Sequence, residues 1–523
     1  MPWRDRSANR SDRGRGSPAE FRRGRIDAVS MLGPTSWDGR FQARRITGPN
    51  SNIGARNGHF NRSGGTPRTM RRNGLEARNG ADAIARDFFT CSKDLGRRRE
   101  MEERHSAASD TDYRQLRWYL ADQACWFADF GIQSVLFPYL VVDVLGESPA
   151  RIGLAQMALT APVLALMIPG GILADRTDLR RLLVGLQTLA AVPVLVLGWR
   201  IQATGVSYVL MLGFAVMQGS VQSMVAPTRE ALLSRVTGAE LQKGITLAMV
   251  VQFVCQFAGF SLAGSVEHFE DLGVPALLLL QATLYVIGAT AASRLRPAPP
   301  YGSDRGADGA APPLSAIRSL LAAFRQIIAT RRIAPVAALM AGVGFFYIPV
   351  FNVVLPVMVR DLYDGGAPGL AMISGAFIAG VVTVSLLLVR LEPIVHQGSA
   401  LFACSLAGVV LTTGFALGPA PAVFYGIIYA FGLVSGVLMS VGRTVVQENA
   451  PPELRARVLA IYSVGFLGAA PLGSFVLGEV SASTGVLTGA GLVALEMLMV
   501  LVLLAACTPI WDVRRPRSGT EIA

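Results

Sequence analysis

The chain has 523 residues, of which 51% are hydrophobic and 16% are charged, and its mean hydropathy is +0.43. A soluble protein usually carries about 25% charged residues, so the composition excludes an ordinary soluble domain and indicates a protein that crosses a membrane several times. The five cysteines form no CxxC pair and the four histidines are scattered, which predicts neither a metal site nor a disulfide framework. The sequence contains no P-loop, GxSxG or HExxH motif. We therefore expect no enzymatic activity and no cofactor.

The positive charge is concentrated at the start of the chain. Residues 1–100 contain 22 Lys and Arg against 10 Asp and Glu, which accounts for the whole net charge of +12. This segment has no apolar period, so residues 1–110 are predicted to form a disordered Arg-rich extension. It could be a basic arm on anionic lipid or nucleic acid, a solvated tail, or a mistaken start, because Met101 opens a short polar lead into the first apolar segment. We expect one of the last two, with no nucleic-acid partner and no secretory signal before residue 115.

The rest of the chain is a series of apolar segments long enough to span a bilayer, which requires about 20 residues. They predict an all-α membrane protein with 12 transmembrane helices in two six-helix bundles, residues 111–293 and 333–510. A cytoplasmic linker with a surface helix occupies 294–332, and a cytoplasmic tail occupies 511–523. The predicted spans lie near 116–142, 151–174, 180–200, 206–229, 242–266, 274–293, 333–359, 368–390, 399–417, 421–447, 456–479 and 486–509.

The loops predict the orientation of these helices. The odd-numbered connections, such as "GESPA", "EHFEDLG" and "SASTG", carry one base among them, whereas the even-numbered ones, such as "DRTDLRR" and "RLEPIVHQ", and the tail carry the remainder. Lys and Arg accumulate on the cytoplasmic side of a membrane. Both termini are therefore predicted to face the cytoplasm, in a bacterial inner (plasma) membrane.

The two predicted bundles also resemble each other. "PTREALLSRVTGAELQKGITLAMV" after the fourth span parallels "GRTVVQENAPPELRARVLAIYSV" after the tenth, with an Arg at a helix end, a turn, Glu-Leu, bases and an apolar helix. Duplicated halves are the plan of transporters whose site lies between the halves at the bilayer midplane.

The loop after the second span carries the most specific motif. "GGILADRTDLRR" resembles motif A of the major facilitator superfamily (MFS), and Asp178 stands where many members have a second Gly. An acid at that position resembles the branch of enterobactin exporters and transmembrane secretion effectors. Two further segments resemble the same branch, "WFADFGIQSVLFPYL" and "VQENAPPELRARVLAIYSV". The resemblance covers about residues 112–510 and implies the MFS fold; by itself it says little about the substrate. The residues that fit motif A are Gly171, Asp175, Arg176, Arg180 and Arg181.

The chain departs from the drug-antiporter pattern at two places. Ala215 occupies the position of the usual helix 4 Arg, three residues before Gln218-Gly219, and Phe260 replaces the usual Pro in "GFSLAG". The cognate "GAAPLG" of helix 11 keeps Pro471, and Ala456 replaces a frequent Gly of the exporter branch and not of the drug antiporters. These departures weaken the expectation of proton coupling through the family's usual residues.

Motif A is predicted to be a gate as well as a positive-inside anchor. The resemblance places this loop beside the cytoplasmic ends of helices 4 and 11. Asp175 is expected to contact Arg229, at the end of helix 4, and to interact favourably with the positive end of a neighbouring helix. Such contacts exist while the bundles are closed on the cytoplasmic side, so they would bias a two-state equilibrium.

The first span contains two acids. At 100° per residue, Asp122, Trp126, Asp129 and Gln133 lie within about 60° of one another. An acid at mid-bilayer costs about 2.5–3.5 kcal/mol and normally faces a cavity or a partner. Asp129 and Asp122 are therefore candidate proton or cation-substrate sites with Trp126 as an aromatic wall, and a purely interhelical polar contact is an equal alternative.

Other polar residues in the spans extend this candidate site. Gln218 and Gln222 share a face of helix 4, and Asn352, between two prolines, marks a bent helix 7. They are predicted to line a cavity or to form interhelical hydrogen bonds. Glu496 in helix 12 is given less weight because that helix usually lies outside the cavity in the family.

These observations predict a monomeric secondary transporter in the lipid bilayer. It is expected to export a small organic molecule, drug-like or siderophore-like, by alternating access, with H+ antiport as the default coupling. Two alternatives stay open: an importer or uniporter of a small metabolite, and a membrane receptor or scaffold with a basic arm.

Overall fold

The computed structural model describes residues 114–237, 241–268, 273–298, 324–391, 394–451 and 454–514. These residues contain twelve helices that are long and apolar enough to span a membrane, as the sequence predicts. The predicted extension 1–110 lies outside the described residues, as does most of the predicted surface helix. The part of the surface helix that is described, residues 324–329, is helical. The first six helices, labelled α1 to α6, are Arg114–Val144, Pro149–Arg176, Leu179–Thr204, Tyr208–Thr237, Leu241–Gly264 and Gly273–Ser293.

The second set of six helices forms the other bundle. Helix α7 is interrupted at its middle by a π-helical turn, Val350–Val354, which is where the sequence predicts a bend. π-helical turns are frequent at functional sites because they rotate the following side chains relative to the helix. Helices α7 to α12 are Ala334–Tyr363, Gly366–Arg390, Gln397–Ala416, Pro421–Asn449, Arg455–Thr484 and Val486–Cys507.

Small residues let the helices approach closely within and between the bundles. A Cβ added at Gly219 of α4 would clash with the carbonyl of Leu159 on α2. One added at Gly153 of α2 would clash with the carbonyl of Ser474 on α11. Such contacts are typical of membrane helices, since the lipid offers no hydrophobic force for association and packing has to supply it.

The two bundles contact each other at the end that carries the odd-numbered loops, called here the odd-loop end. Arg360 Nη1, near the end of α7, donates to the carbonyl oxygens of Val142 (2.9 Å) and Glu147 (3.0 Å), at the end of α1 and in the loop after it. Glu267, in the loop after α5, accepts from the Ala367 amide (2.7 Å) at the start of α8. The positive Arg360 contacts the C-terminal end of α1, and the negative Glu267 contacts the N-terminal end of α8. These are the signs that the helix dipole favours at each end.

Candidate functional site

A cavity of about 380 Å³ lies between the bundles. Helices α1, α2, α4 and α5 of the first bundle and α7 and α8 of the second line it, which is the position that duplicated transporter halves predict. Three of the predicted site residues, Gln133, Gln222 and Asn352, are in the lining. The remaining polar and aromatic lining residues are Phe130, Ser134, Phe137, Gln156, Thr160, Gln256, Phe260, Phe351, Ser374 and Phe377.

Asp129 lies behind this lining and is 1% exposed. Its Oδ2 accepts a hydrogen bond from the Tyr285 hydroxyl of α6 at 2.5 Å. The buried Gln281 carboxamide of α6 also interacts with this carboxyl group, although Oδ1 has no partner at full hydrogen-bond geometry among the described residues. The same hydroxyl accepts from Gln218 Nε2 of α4. A carboxyl group in this setting is either neutral or carries a charge with few partners, and burial of an unpaired charge is costly.

A chain of amides joins Asp129 to the cavity. Gln218 Nε2 lies 3.2 Å from Gln133 Oε1, and Gln222 Nε2 lies 3.1 Å from the same oxygen. Gln133 and Gln222 line the cavity, whereas Gln218 is fully buried between them and Tyr285. The carboxyl group therefore communicates with the cavity through hydrogen bonds and does not itself line it.

Asp122 occupies a second, separate buried site nearer the even-loop end. It is 0% exposed, and its Oδ2 lies 2.8 Å from Arg229 Nη2. Gln187 Nε2 of α3 donates to its other oxygen, and Arg229 Nη1 donates to Gln123 Oε1 at 2.8 Å. This ion pair ties α1 to α4 inside the first bundle, so Asp122 has a buried counter-charge, which Asp129 lacks among the described residues.

Trp126 connects the two sites without reaching the cavity. The Arg229 guanidinium lies 4.9 Å from the Trp126 ring centre, and the Tyr285 and Trp126 rings form a T-shaped contact with their centres 5.8 Å apart. The side chain is 7% exposed. It therefore contacts both the ion pair and the Tyr285 partner of Asp129, and it is not part of the cavity lining.

The motif A loop has structural contacts of its own. Asp178 is the N-cap of α3 and accepts from the Arg181 amide at 3.1 Å, which satisfies a helix N-terminus. Arg180 Nη1 donates to the Leu295 carbonyl at 3.2 Å, just after α6. Gly171 lies in α2 with open space beside it, and Arg176 ends that helix. The Asp175 side chain lies outside the described residues, so its contact with Arg229 stays a prediction.

Several residues of the site were not singled out by the sequence. Tyr285, Gln187 and Gln123 complete the two buried networks, and each is a polar residue within a predicted membrane span. Such residues normally face the protein interior, which is a signal that sequence reasoning could have used. Glu496 is exposed on α12 beside Phe345 and Gly473, away from the central cavity.

Comparisons with known proteins agree with this architecture. Residues 123–474 match the family described as the Major Facilitator Superfamily, and no curated protein sequence matches the chain significantly. A point mutant of the nucleoside transporter NupG is 14% identical with a TM-score of 0.61, covering 75% of this chain and 99% of its own. A proton-dependent oligopeptide transporter is 12% identical with a TM-score of 0.58, covering 76% and 99%. A bacterial homologue of the human lysosomal transporter Spinster, inward-facing and unoccupied, is 15% identical with a TM-score of 0.54, covering 76% and 96%.

Proposed function

We propose that this chain, which belongs to the Major Facilitator Superfamily, is a secondary transporter that exports a small organic molecule, drug-like or siderophore-like, by proton antiport. The central cavity carries the proposal, because residues of both bundles line it at the interface where alternating access requires a substrate site. The distant similarity to solved transporter structures supports the fold and leaves the substrate open.

The contacts between the bundles support an inward-open state. They lie at the odd-loop end, where Arg360 and Glu267 join the bundles. The excess of bases in the even loops supports a cytoplasmic position for the opposite end. In this state the substrate enters the cavity from the cytoplasm, and the odd-loop contacts have to break before it leaves on the other side.

Asp129 is proposed as the proton carrier. Its carboxyl is buried beside the Tyr285 hydroxyl and the Gln281 carboxamide and has no cationic partner among the described residues, whereas Asp122 is held by Arg229. Protonation would add a donor to the Asp129 carboxyl, which as a carboxylate can only accept a hydrogen bond from Tyr285. The resulting change in hydrogen bonding would reach the cavity-lining Gln133 through Gln218. Asp122 is assigned the structural role of joining α1 to α4.

The test compares pH-driven efflux with substrate exchange in inverted membrane vesicles, using a panel of labelled drugs and siderophores. Asp129→Asn is expected to abolish pH-driven movement and to leave exchange intact, because exchange need not move a proton. Tyr285→Phe keeps the ring against Trp126, removes the donor to Asp129, and is expected to weaken coupling. Glu496→Gln, at an exposed acid of α12 away from the central cavity, is the matched control and is expected to leave both activities unchanged. Normal pH-driven efflux by Asp129→Asn would contradict the assignment.

The same assay separates the alternatives. A uniporter would move substrate downhill with no response to the pH gradient in the wild-type protein, and an importer would accumulate it in the opposite direction. A receptor or scaffold would move none of the panel. The inter-bundle cavity favours transport over a scaffold, since a scaffold requires no site between the two halves.

A further inference from the structure

The side chains that line the cavity indicate the kind of ligand more specifically than the position of the cavity does. Five phenylalanine rings and five carboxamides make up most of its wall, and serine and threonine hydroxyls supply further polar groups. Among the described lining residues, none carries a formal charge. Flat apolar faces beside hydrogen-bonding groups are the usual composition of a small-molecule site, and a volume of about 380 Å³ is within the range of sites that hold drug-sized ligands.

A charged ligand would have no counter-charge in this lining. Asp129 lies behind it with one oxygen bonded to Tyr285, and Arg229 is paired with Asp122. Aromatic rings attract cations, but they do not replace a carboxylate as a partner for a charge removed from water.

Gln133 shows which polar group the ligand needs. Its Oε1 accepts from both Gln218 and Gln222, at 3.2 and 3.1 Å, which orients the amide. Its Nε2 has no hydrogen-bond partner among the described residues, although the side chain is only 5% exposed. An unpaired buried donor is costly, and Gln133 lines the cavity. A ligand oxygen would satisfy this donor.

We infer that the cavity binds an uncharged, drug-sized molecule with an aromatic ring and a carbonyl or hydroxyl oxygen that accepts from Gln133. This inference rests on the proposed function and narrows its substrate class to neutral aromatic compounds, as opposed to charged siderophores. Phe351 and Asn352, on the π-helical turn of α7, bring a ring and an amide of the second bundle to the same ligand. Both bundles then contact the substrate.

The experiment measures equilibrium binding to the full-length protein in lipid nanodiscs, at one pH and without a gradient. Three probes share a benzanilide skeleton and differ in one substituent: hydroxymethyl, carboxylate or trimethylammonium. The neutral probe is expected to bind about tenfold or more tightly than either charged one. Gln133→Leu is expected to weaken that binding about tenfold, whereas Thr188→Ala, an exposed position on α3, is expected to leave it unchanged.

A change of preference provides a test that loss of folding cannot imitate. Gln133→Glu and, independently, Asn352→Asp place a carboxylate in the lining, and each is expected to turn the preference toward the trimethylammonium probe. Equal binding of the neutral and a charged probe to the wild-type protein, or binding of none of the three, would overturn the inference. The binding assay uses no proton gradient and no transport step. A failure of proton coupling would therefore leave this result standing, and the two proposals can fail separately.

Discussion

The buried pair of Asp122 and Arg229 gives a stability prediction with a definite magnitude. The two side chains are 0% and 6% exposed and 2.8 Å apart, so Arg229→Met leaves a buried carboxylate with Gln187 as its remaining side-chain partner among the described residues. Removal of one partner of a buried pair costs about 3–5 kcal/mol, because the other charge is left uncompensated. Replacing both partners with apolar residues removes both charges, so Asp122→Leu with Arg229→Met is expected within about 2 kcal/mol of the wild type.

The measurement is a double-mutant cycle on the free energy of unfolding in mixed micelles. A coupling energy above about 2 kcal/mol is expected, because residues that share one contact are not additive. Arg151→Met is the control: its pair with Glu147 has a similar distance of 2.9 Å, but the Arg151 side chain is 59% exposed, and exposed pairs contribute about 0.2–1 kcal/mol. Additive losses in the cycle, or a loss for Arg229→Met no larger than for Arg151→Met, would refute the reasoning.

Three further predictions concern the extension, the motif A loop and the odd-loop end. Deletion of residues 1–100 is expected to preserve membrane insertion and transport, which expression and vesicle assays on a chain that starts at Met101 can check; loss of folded protein would count against it. Asp175→Asn is expected to impair transport at normal expression, and unchanged transport rates would leave Asp175 with an anchoring role alone. Arg360→Gln removes the donor to the Val142 and Glu147 carbonyls and is expected to favour opening of the odd-loop end. Spin labels across that end should then move apart, and an unchanged distance distribution would argue that Arg360 does not hold the bundles together.

The sequence by itself determined the fold of this protein. Twelve apolar segments, the distribution of bases among the loops and motif A predicted an all-α MFS fold, and the structure and the family match confirm that fold. A membrane makes this possible, since each spanning helix must satisfy its own backbone hydrogen bonds and be apolar over about 20 residues. Those requirements are local, so a linear pattern shows them.

The tertiary structure decided which buried polar groups are partners. The sequence placed Asp122, Asp129 and Gln133 on one face of α1, but their different surroundings depend on Arg229 of α4 and Tyr285 of α6. These partners lie 107 and 156 residues away from the acids they contact. Helical periodicity gives the direction of a side chain from its own axis, whereas the packing of neighbouring helices decides which group it meets. The difference between an acid with a buried counter-charge and an acid without one is therefore a property of the assembled bundle.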